Sequence, residues 1–209
     1  MCRIVLSASE QLGQRYLQRP CPTWIRNAIG GNDLELDVWE AIQGRRSIRS
    51  FRSDPVPEDL IRKLILEAGI WAPTGGNAQT WRFVVVTDHD LIRKVRMVAP
   101  GILGDPPVVI VICQDLDEAE RKGSKLGRDA LSLMDTALAA QNIMLTAYEQ
   151  GLGTCLVASF HPGAVQKILR LPSSIVPQLL MSLGYPNIKT QAPKRNNKVV
   201  WFNGYSQEE

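Results

Sequence analysis

The chain has 209 residues, of which 44% are hydrophobic, enough for one sizeable core in a single domain with an appendage. Its 24 basic and 21 acidic residues give a formal net charge of +3, which excludes the strongly basic field of a nucleic-acid-binding protein. The 4 cysteines include no Cys-x-x-Cys pair and there are only 2 histidines, so the usual ligand spacing of a zinc site is lacking.

The wide spacing of the cysteines predicts free thiols in a reducing compartment, and no apolar run of the sequence is long enough to span a bilayer. The N-terminus has no unbroken apolar stretch after its first charges, so no export signal is predicted. We therefore expect a cytoplasmic protein with no membrane partner and no nucleic-acid partner.

Residues 1–33 differ from the rest of the chain because they mix arginines with apolar residues around a Pro-Cys-Pro break. We predict that they form an N-terminal appendage and that residues 34–209 form the main domain, which includes a C-terminal arm. The appendage could be an amphipathic arm that packs on a partner subunit or a poorly ordered leader, and both alternatives stay open.

A dense cluster of arginines follows a short amphipathic helix that is predicted to end near Gly44. Residues 45–51, the arginine segment, hold three arginines and two hydroxyl side chains. In an extended backbone Arg45, Ser47 and Arg49 would point to one side, and paired guanidinium groups match the oxygens of a phosphate. The pattern indicates an anion site, with a solvent-exposed basic strand as the alternative.

A helix with an apolar stripe is predicted to begin near Pro57, with two acidic residues in its first turn, and to stop near Ala72. Residues 74–81 then form a loop, which we call the glycine loop. Gly75 and Gly76 allow its backbone to come very close to a flat or bulky partner. Carboxamide side chains in the same loop add hydrogen-bonding groups.

The rest of the pattern predicts an interior sheet with helices on its faces. Buried strands are indicated at residues 83–87, 107–113 and 176–183, and a strand or extended loop at residues 154–160. Helices are predicted at residues 89–98, 129–150 and 162–171.

The predicted helix at residues 129–150 is apolar around most of its circumference, which is typical of a central packed helix. Its polar residues follow one narrow seam, formed by Ser132, Asp135, Asn142, Thr146 and Glu149. We interpret this seam as a solvent edge or a helix contact rather than as a binding site.

Beyond residue 187 the chain becomes basic and then apolar, and it reaches the run Val199-Val200-Trp201-Phe202. Such a run would be exposed unless it pairs with a sheet edge or wraps around a second subunit. We favour wrapping.

Side chains arranged for acid, base or nucleophilic catalysis are scarce in this sequence. It has no Gly-x-Ser-x-Gly elbow, no Gly-Lys-Ser/Thr phosphate loop and no complete dinucleotide fingerprint. This scarcity fits an enzyme whose cofactor carries the chemistry. A flat cofactor with a phosphate would suit the arginine segment, the glycine loop and the basic pair Lys194 and Arg195, although spacing alone does not identify it.

Four runs carry a resemblance to a known family. They are RRSIR-x-F at residues 45–51, APTGGNAQTW-x-F at residues 72–83, AAQN at residues 139–142 and GLGT at residues 151–154. As an ordered set they closely resemble the FMN-dependent nitroreductase family, and the resemblance extends from about Leu36 to Phe202.

The resemblance implies an α+β fold, with a central mixed, mainly antiparallel sheet between layers of helices. It also implies an intertwined homodimer with an FMN in each of two interfacial sites. NADH or NADPH would deliver hydride to the flavin in a ping-pong mechanism. A nitroaromatic, quinone or other conjugated small molecule would then accept the electrons in the same place.

The resemblance assigns cofactor-binding residues by position, and it implies no catalytic side chain and no metal ligand. One subunit would hold the FMN phosphate, ribityl chain and pyrimidine edge through Arg45, Arg46, Ser47 and Arg49. The other subunit would contribute Pro73, Thr74, Gly75 and Asn77, with Gln79 in the same loop. The isoalloxazine ring would lie against Val157, Ala158 and Ser159. The phosphate clamp would be completed by Lys194 and Arg195.

Two alternatives remain beside a general NAD(P)H-dependent reductase. The first is a specialised flavin enzyme of the same fold, such as a dehalogenase, an ene-reductase or an enzyme that consumes its own reduced flavin. The second is a non-catalytic protein that binds flavin to sense or store it.

Overall fold

The computed structural model describes residues 36–205, so the predicted appendage at residues 1–33 and the last four residues lie outside the described part of the chain. The division into an appendage and a main domain therefore stays a prediction. Cys113 and Cys155 lie within the described part and form no disulfide, as expected for free thiols.

A four-stranded sheet forms the centre of the described chain, and its order is β1-β2-β4-β3. The strands are β1 (Trp81–Val86), β2 (Val108–Asp115), β3 (Gly153–Val157) and β4 (Ile175–Gly184). Each neighbouring pair is antiparallel, with a register shift in the β2–β4 pair between Ile112 and Cys113. The one parallel pairing within residues 36–205 is an isolated bridge between Ser47 and Thr154.

Within residues 36–205, six α-helices surround the sheet. They are α1 (Val38–Gly44), α2 (Glu58–Leu66), α3 (His89–Met97), α4 (Leu116–Leu126), α5 (Ser132–Glu149) and α6 (Pro162–Ile168). Short 3₁₀ turns at Gly69–Trp71 and Gly75–Asn77 connect α2 to β1, and a π turn at Gly127–Leu131 precedes α5. The predicted α+β fold is confirmed.

The side chains of β2 alternate between two apolar cores, which is why this strand reads as an unbroken hydrophobic run. Val108, Ile110 and Ile112 pack with residues of α2 and α5 on one face. Val109 and Val111 pack with residues of α3 and α6 on the other face. Because side chains of a strand point alternately to its two faces, a doubly covered strand is apolar throughout. The result is the expected arrangement of three layers.

The sequence pattern missed α4 and misplaced the end of α2. The helix α4 is rich in charged residues, and Asp115 caps it by accepting a hydrogen bond from the Glu118 amide at 3.2 Å. Ion pairs from Glu118 to Arg121 and Lys122 add to its stability and lower the pKa of Glu118 to about 2. The helix α2 ends at Leu66 rather than near Ala72.

Within residues 36–205, every helix falls short of the length and apolar character needed to cross a membrane.

Candidate functional site

The arginine segment runs in extended form from the end of α1 along the start of β3. The Ile48 amide donates to the Thr154 carbonyl at 2.8 Å, beside the parallel bridge of Ser47. Ile48 is buried, whereas Arg49 is exposed. This is the alternation that the extended interpretation predicts, because neighbouring side chains of an extended backbone face opposite sides.

Three glycines allow close packing in and around this segment, because a side chain on any of them would clash with a neighbouring residue. A Cβ atom on Gly44 would lie 2.3 Å from the Tyr148 hydroxyl, and one on Gly153 would lie 2.6 Å from Cγ1 of Ile48. Gly104, with a φ of +70°, would place a Cβ atom 2.3 Å from the Arg49 carbonyl oxygen. The segment therefore contacts the start of β3 and the loop that precedes β2, and Gly44, directly before it, contacts the end of α5.

The arginines of this segment still have hydrogen-bond donors to offer. Arg46 donates from Nη1 to the carbonyls of Gln43 at 2.5 Å and Arg45 at 2.7 Å, so it caps the C-terminus of α1. The Nε atoms of Arg45 and Arg46 are buried and have no acceptor within residues 36–205. Buried unpaired donors are costly, and the oxygen atoms of a phosphate would satisfy them. The segment thus fits the anionic end of a cofactor.

The glycine loop has an unusual backbone. Gly76, Asn77 and Gln79 have φ values of 58°, 56° and 53°, in the left-handed region that favours glycine. The Gln79 amide donates to the Thr74 hydroxyl at 3.2 Å, and the Gln79 carboxamide donates to the Asn77 carboxamide at 2.8 Å. A Cβ atom on Gly76 would meet nothing within 4 Å. One side of the loop is therefore open to a ligand, with Pro73, Asn77 and Gln79 exposed.

The other side of the glycine loop is held by the helices α4 and α5. The Gly75 amide donates to Oδ1 of Asp135 at 3.1 Å, and Nζ of Lys122 donates to the Ala78 carbonyl at 2.7 Å. Burial raises the pKa of Asp135, and the hydrogen bond from Gly75 lowers it by a smaller amount. The loop is thus fixed from the protein side by one carboxylate and one ammonium group.

The residues that follow β3 form the third part of the candidate site. Val157 is buried and pairs with Leu180, whereas Ala158 and Ser159 are exposed. The Ser159 carbonyl accepts from the Gly101 amide at 3.1 Å. Gly101 and Gly104 belong to the same loop, so this loop brings residues 158–159 close to the arginine segment.

The predicted basic pair is not part of this grouping. Lys194 and Arg195 are exposed, and neither makes a hydrogen bond or ion pair with any of the described residues. The start of the tail does lie near the arginine segment, because the Asn187 amide donates to the Ser50 carbonyl at 3.0 Å.

The arginine segment and the glycine loop of one chain lie at opposite ends of α5. Asp135 holds the loop near the first turn of this helix, and Tyr148 contacts Gly44 near its last turn. These positions are 13 residues apart in the sequence, or about 20 Å along the helix axis at 1.5 Å per residue. A single chain therefore brings together the arginine segment and residues 157–159, but not the glycine loop.

Sequence reasoning missed two residues that support this site. Asp135 belongs to the polar seam that we interpreted as a solvent edge or helix contact, and the structure shows that it is a buried contact. Lys122 lies on α4, the helix that the pattern did not predict. The seam was the available signal for Asp135, and no comparable signal marked Lys122.

Comparison with known families identifies the chain. The model of the nitroreductase family matches residues 42–99 and 96–185. The chain belongs to the nitroreductase family. The matched residues include the arginine segment, the glycine loop and the strands of the sheet, and the resemblance found from the four sequence runs is confirmed.

Individual members of the nitroreductase family agree with this membership. The NADH dehydrogenase of Thermus thermophilus is 35% identical, over 72% of this chain and 87% of that protein. The FMN reductase (NADPH) of Bacillus subtilis is 29% identical, over 78% of this chain and 71% of that protein. The structure of an FMN-dependent nitroreductase from Clostridium difficile matches with a TM-score of 0.70 and 25% identity, covering 80% of this chain and 100% of that one.

Proposed function

We propose that this protein is an FMN-dependent oxidoreductase that takes hydride from NADH or NADPH and passes it to a small conjugated acceptor in a ping-pong cycle. Nitroaromatics and quinones are the acceptor classes that we expect. The observation that carries the proposal is the pair of buried Nε donors of Arg45 and Arg46, which lack an acceptor within residues 36–205. Family membership supports a flavin as the group that supplies one.

The arginine segment is the proposed binding site for the FMN phosphate and the polar edge of the cofactor. An extended backbone places Arg45, Ser47 and Arg49 together on the side opposite the buried Ile48. Arg46 would join them from the C-terminus of α1, where its Nη1 donates to the carbonyls of Gln43 and Arg45. Arginine forks bind phosphate oxygens through two parallel hydrogen bonds, which gives both affinity and orientation.

We infer that a complete site needs two chains. The glycine loop of the same chain lies about 20 Å along α5 from the contact with the arginine segment, so a second chain would supply Pro73, Thr74, Gly75, Asn77 and Gln79. Exposed apolar side chains support such a homodimer, since soluble monomers rarely expose a large apolar surface. On α1 and α5 they include Val38, Trp39, Leu133, Met134 and Leu138.

Residues 157–159 would contact the ring of the cofactor. Ala158 and Ser159 are exposed, and their backbone amides donate no hydrogen bond to another described residue. An amide in this position can donate to a ring nitrogen of a flavin. Val157 is buried beneath them and keeps this part of the chain in the register of β3.

FMN, when bound, supplies the hydride chemistry, and the chain needs to bind and orient the reactants. Cationic groups near the ring favour an anionic reduced cofactor electrostatically, which is a role for Arg45, Arg46 and Arg49. Lys194 and Arg195 would complete the clamp on the FMN phosphate. No side chain of the described site is required as a general acid or base.

The first experiment is the visible spectrum of the purified protein before and after anaerobic addition of NADH or NADPH. We expect flavin absorption bands that disappear on addition of one of the two nicotinamides and return when a quinone or nitrofuran is added. A protein that stays colourless when given FMN would overturn the proposal. Bound flavin that neither nicotinamide reduces would favour the non-catalytic alternative.

A double variant tests the residues of the site. Arg45→Ala with Arg49→Ala removes two charge-assisted contacts worth about 1.5–3 kcal/mol each, so FMN affinity should fall at least about 100-fold with the fold retained. Titration of the apoprotein followed by flavin fluorescence measures this loss. The matched control is Arg62→Ala with Arg93→Ala, which removes the same charge from the exposed faces of α2 and α3. Equal affinity in both double variants would contradict the site assignment.

A further inference from the structure

Two residues of the polar seam of α5 make hydrogen bonds to the backbone between Ala68 and Gly75, the segment that leads into the glycine loop. Nδ2 of Asn142 donates to the Ala68 carbonyl at 3.1 Å, and Oδ1 of Asp135 accepts from the Gly75 amide at 3.1 Å. Asp135 and Asn142 are 7 positions apart in the sequence, and so are Ala68 and Gly75. The segment from Ala68 to Gly75 therefore runs antiparallel to about two turns of α5.

Apolar contacts fill the interval between these two hydrogen bonds. The backbone at Gly69 lies close to α5, because a Cβ atom on Gly69 would be only 3.0 Å from the side chain of Ile143. Ala72 packs in one buried cluster with Ala139. Ile143, Ala139 and Asp135 are successive fourth residues of α5 and so share one face of the helix. The whole segment follows that face.

Stability alone does not explain a carboxylate at position 135. Asp135 is 4% exposed, and the one hydrogen bond that its carboxylate makes within residues 36–205 comes from the Gly75 amide. Burial raises the pKa of Asp135, which shows that the surroundings disfavour the charged form. An apolar side chain would fill this position at lower cost, but it would leave the Gly75 amide without an acceptor.

We propose that Asp135 and Asn142 are positioning residues for flavin binding. Asp135 holds the glycine loop at Gly75, and Asn142 holds at Ala68 the segment that leads into the loop, so that the loop backbone stays in the position that FMN requires. This inference rests on the proposed function and adds to it two residues that are not expected to touch the cofactor. It also accounts for two of the five seam residues, because Asp135 and Asn142 each make a hydrogen bond to a backbone group between Ala68 and Gly75.

The test compares Asp135→Ala, which removes the acceptor, with Asp135→Asn, which keeps an oxygen in the same place. FMN binding to the apoprotein is followed by fluorescence, and the absorption bands of the bound flavin are recorded. Loss of one hydrogen bond to a buried amide predicts about a tenfold rise in Kd for Asp135→Ala and a changed flavin spectrum. Asp135→Asn should stay within about threefold of the wild type.

Thr136→Val is the matched control, because Thr136 is buried on the same helix and its hydroxyl donates only to the Leu133 carbonyl of that helix. It should leave FMN affinity unchanged. An effect of Thr136→Val as large as that of Asp135→Ala would mean that any disturbance of α5 weakens binding, and it would overturn the proposal. Equal losses in Asp135→Asn and Asp135→Ala would overturn it as well.

Hydrogen exchange of the apoprotein gives a readout that needs no flavin. Peptides covering residues 72–80 should exchange faster in Asp135→Ala than in Asp135→Asn or the wild type. If the wild type failed to bind FMN, the proposed function would fall, and the exchange result would still decide whether Asp135 holds the loop. If Asp135→Ala did not fold, Asn142→Ala, which removes the contact to Ala68, would be measured in the same way. Unchanged exchange in the variant measured would refute the positioning role.

Discussion

The carboxylate of Asp135 accepts a hydrogen bond from the glycine loop, but its negative charge lowers the stability of the folded protein. Its pKa is raised from an ordinary value of 3.8, chiefly by burial, so the folded chain binds this proton more tightly than the unfolded chain. The protonated Asp135 side chain makes its full contribution to the free energy of unfolding below pH 3.8, and this contribution is lost as the pH rises through the raised pKa. At neutral pH the charged carboxylate therefore lowers the free energy of unfolding.

The variant Asp135→Asn removes this charge and keeps the oxygen that accepts from Gly75. We expect the melting temperature of Asp135→Asn minus that of the wild type to become larger as the pH is raised from 4 to 7.5. The control is Asp129→Asn, which makes the same substitution at an exposed aspartate in the turn before α5 and should change stability only slightly. A stability difference for Asp135→Asn that does not vary with pH would contradict the raised pKa.

At the scale of elements, glycines decide how closely the arginine segment can approach its neighbours. Gly153 begins β3, and its contact with Ile48 leaves no room for a side chain. Gly104 combines a φ of +70° with a direct approach to the Arg49 carbonyl. A strand and a loop with side chains at these two positions could not approach the arginine segment so closely.

Gly104→Ala should lower the free energy of unfolding by about 1–3 kcal/mol, because the new Cβ atom meets the Arg49 carbonyl and the backbone conformation is strained. Displacement of Arg49 should also weaken FMN binding. Denaturant titration and flavin fluorescence measure the two effects. In contrast, Gly123→Ala within α4 meets nothing within 4 Å and should stabilise the protein by up to about 1 kcal/mol. Equal effects of the two substitutions would refute the steric argument.

At the scale of the whole molecule, apolar side chains remain exposed on helices and on the C-terminal tail. Trp39 is 72% exposed on α1 and Phe202 is 88% exposed in the tail. The tail shows no strand within residues 186–205, and it leaves the sheet beside the arginine segment at Asn187. These features agree with the expectation that the tail wraps around a second subunit, which stays a prediction.

Deletion of the tail after Tyr185 should weaken the dimer and release FMN, as measured by size-exclusion chromatography with light scattering and by flavin absorbance. Burial of the tail on a partner would be lost, and with it the apolar contribution to association. The full-length variant Lys194→Ala with Arg195→Ala is the control for the dimer readout only, because it removes the basic pair of the proposed phosphate clamp and keeps the apolar run, so it should still elute as a dimer. A truncated chain that elutes as a flavin-loaded dimer would contradict the wrapping role.

The sequence by itself determined the family and the main elements of the described chain. The buried run of β2, the apolar circumference of α5 and the glycines of the loop are local patterns that are tied directly to burial and backbone conformation. The arginine segment could be found in the same way, because its charge density and alternation lie within seven residues. Its role in binding FMN remains a prediction.

Only the tertiary structure decided which groups these elements contact. Gly75 and Asp135 are 60 residues apart in the sequence, so no local pattern could pair them. Periodicity shows that α5 has a polar seam, but the neighbour of that seam depends on how α2, the loop and α5 fold together. The distance between the arginine segment and the glycine loop is likewise a property of the folded chain. The two motifs can be found in the sequence, but their separation in space depends on how each of them packs against α5.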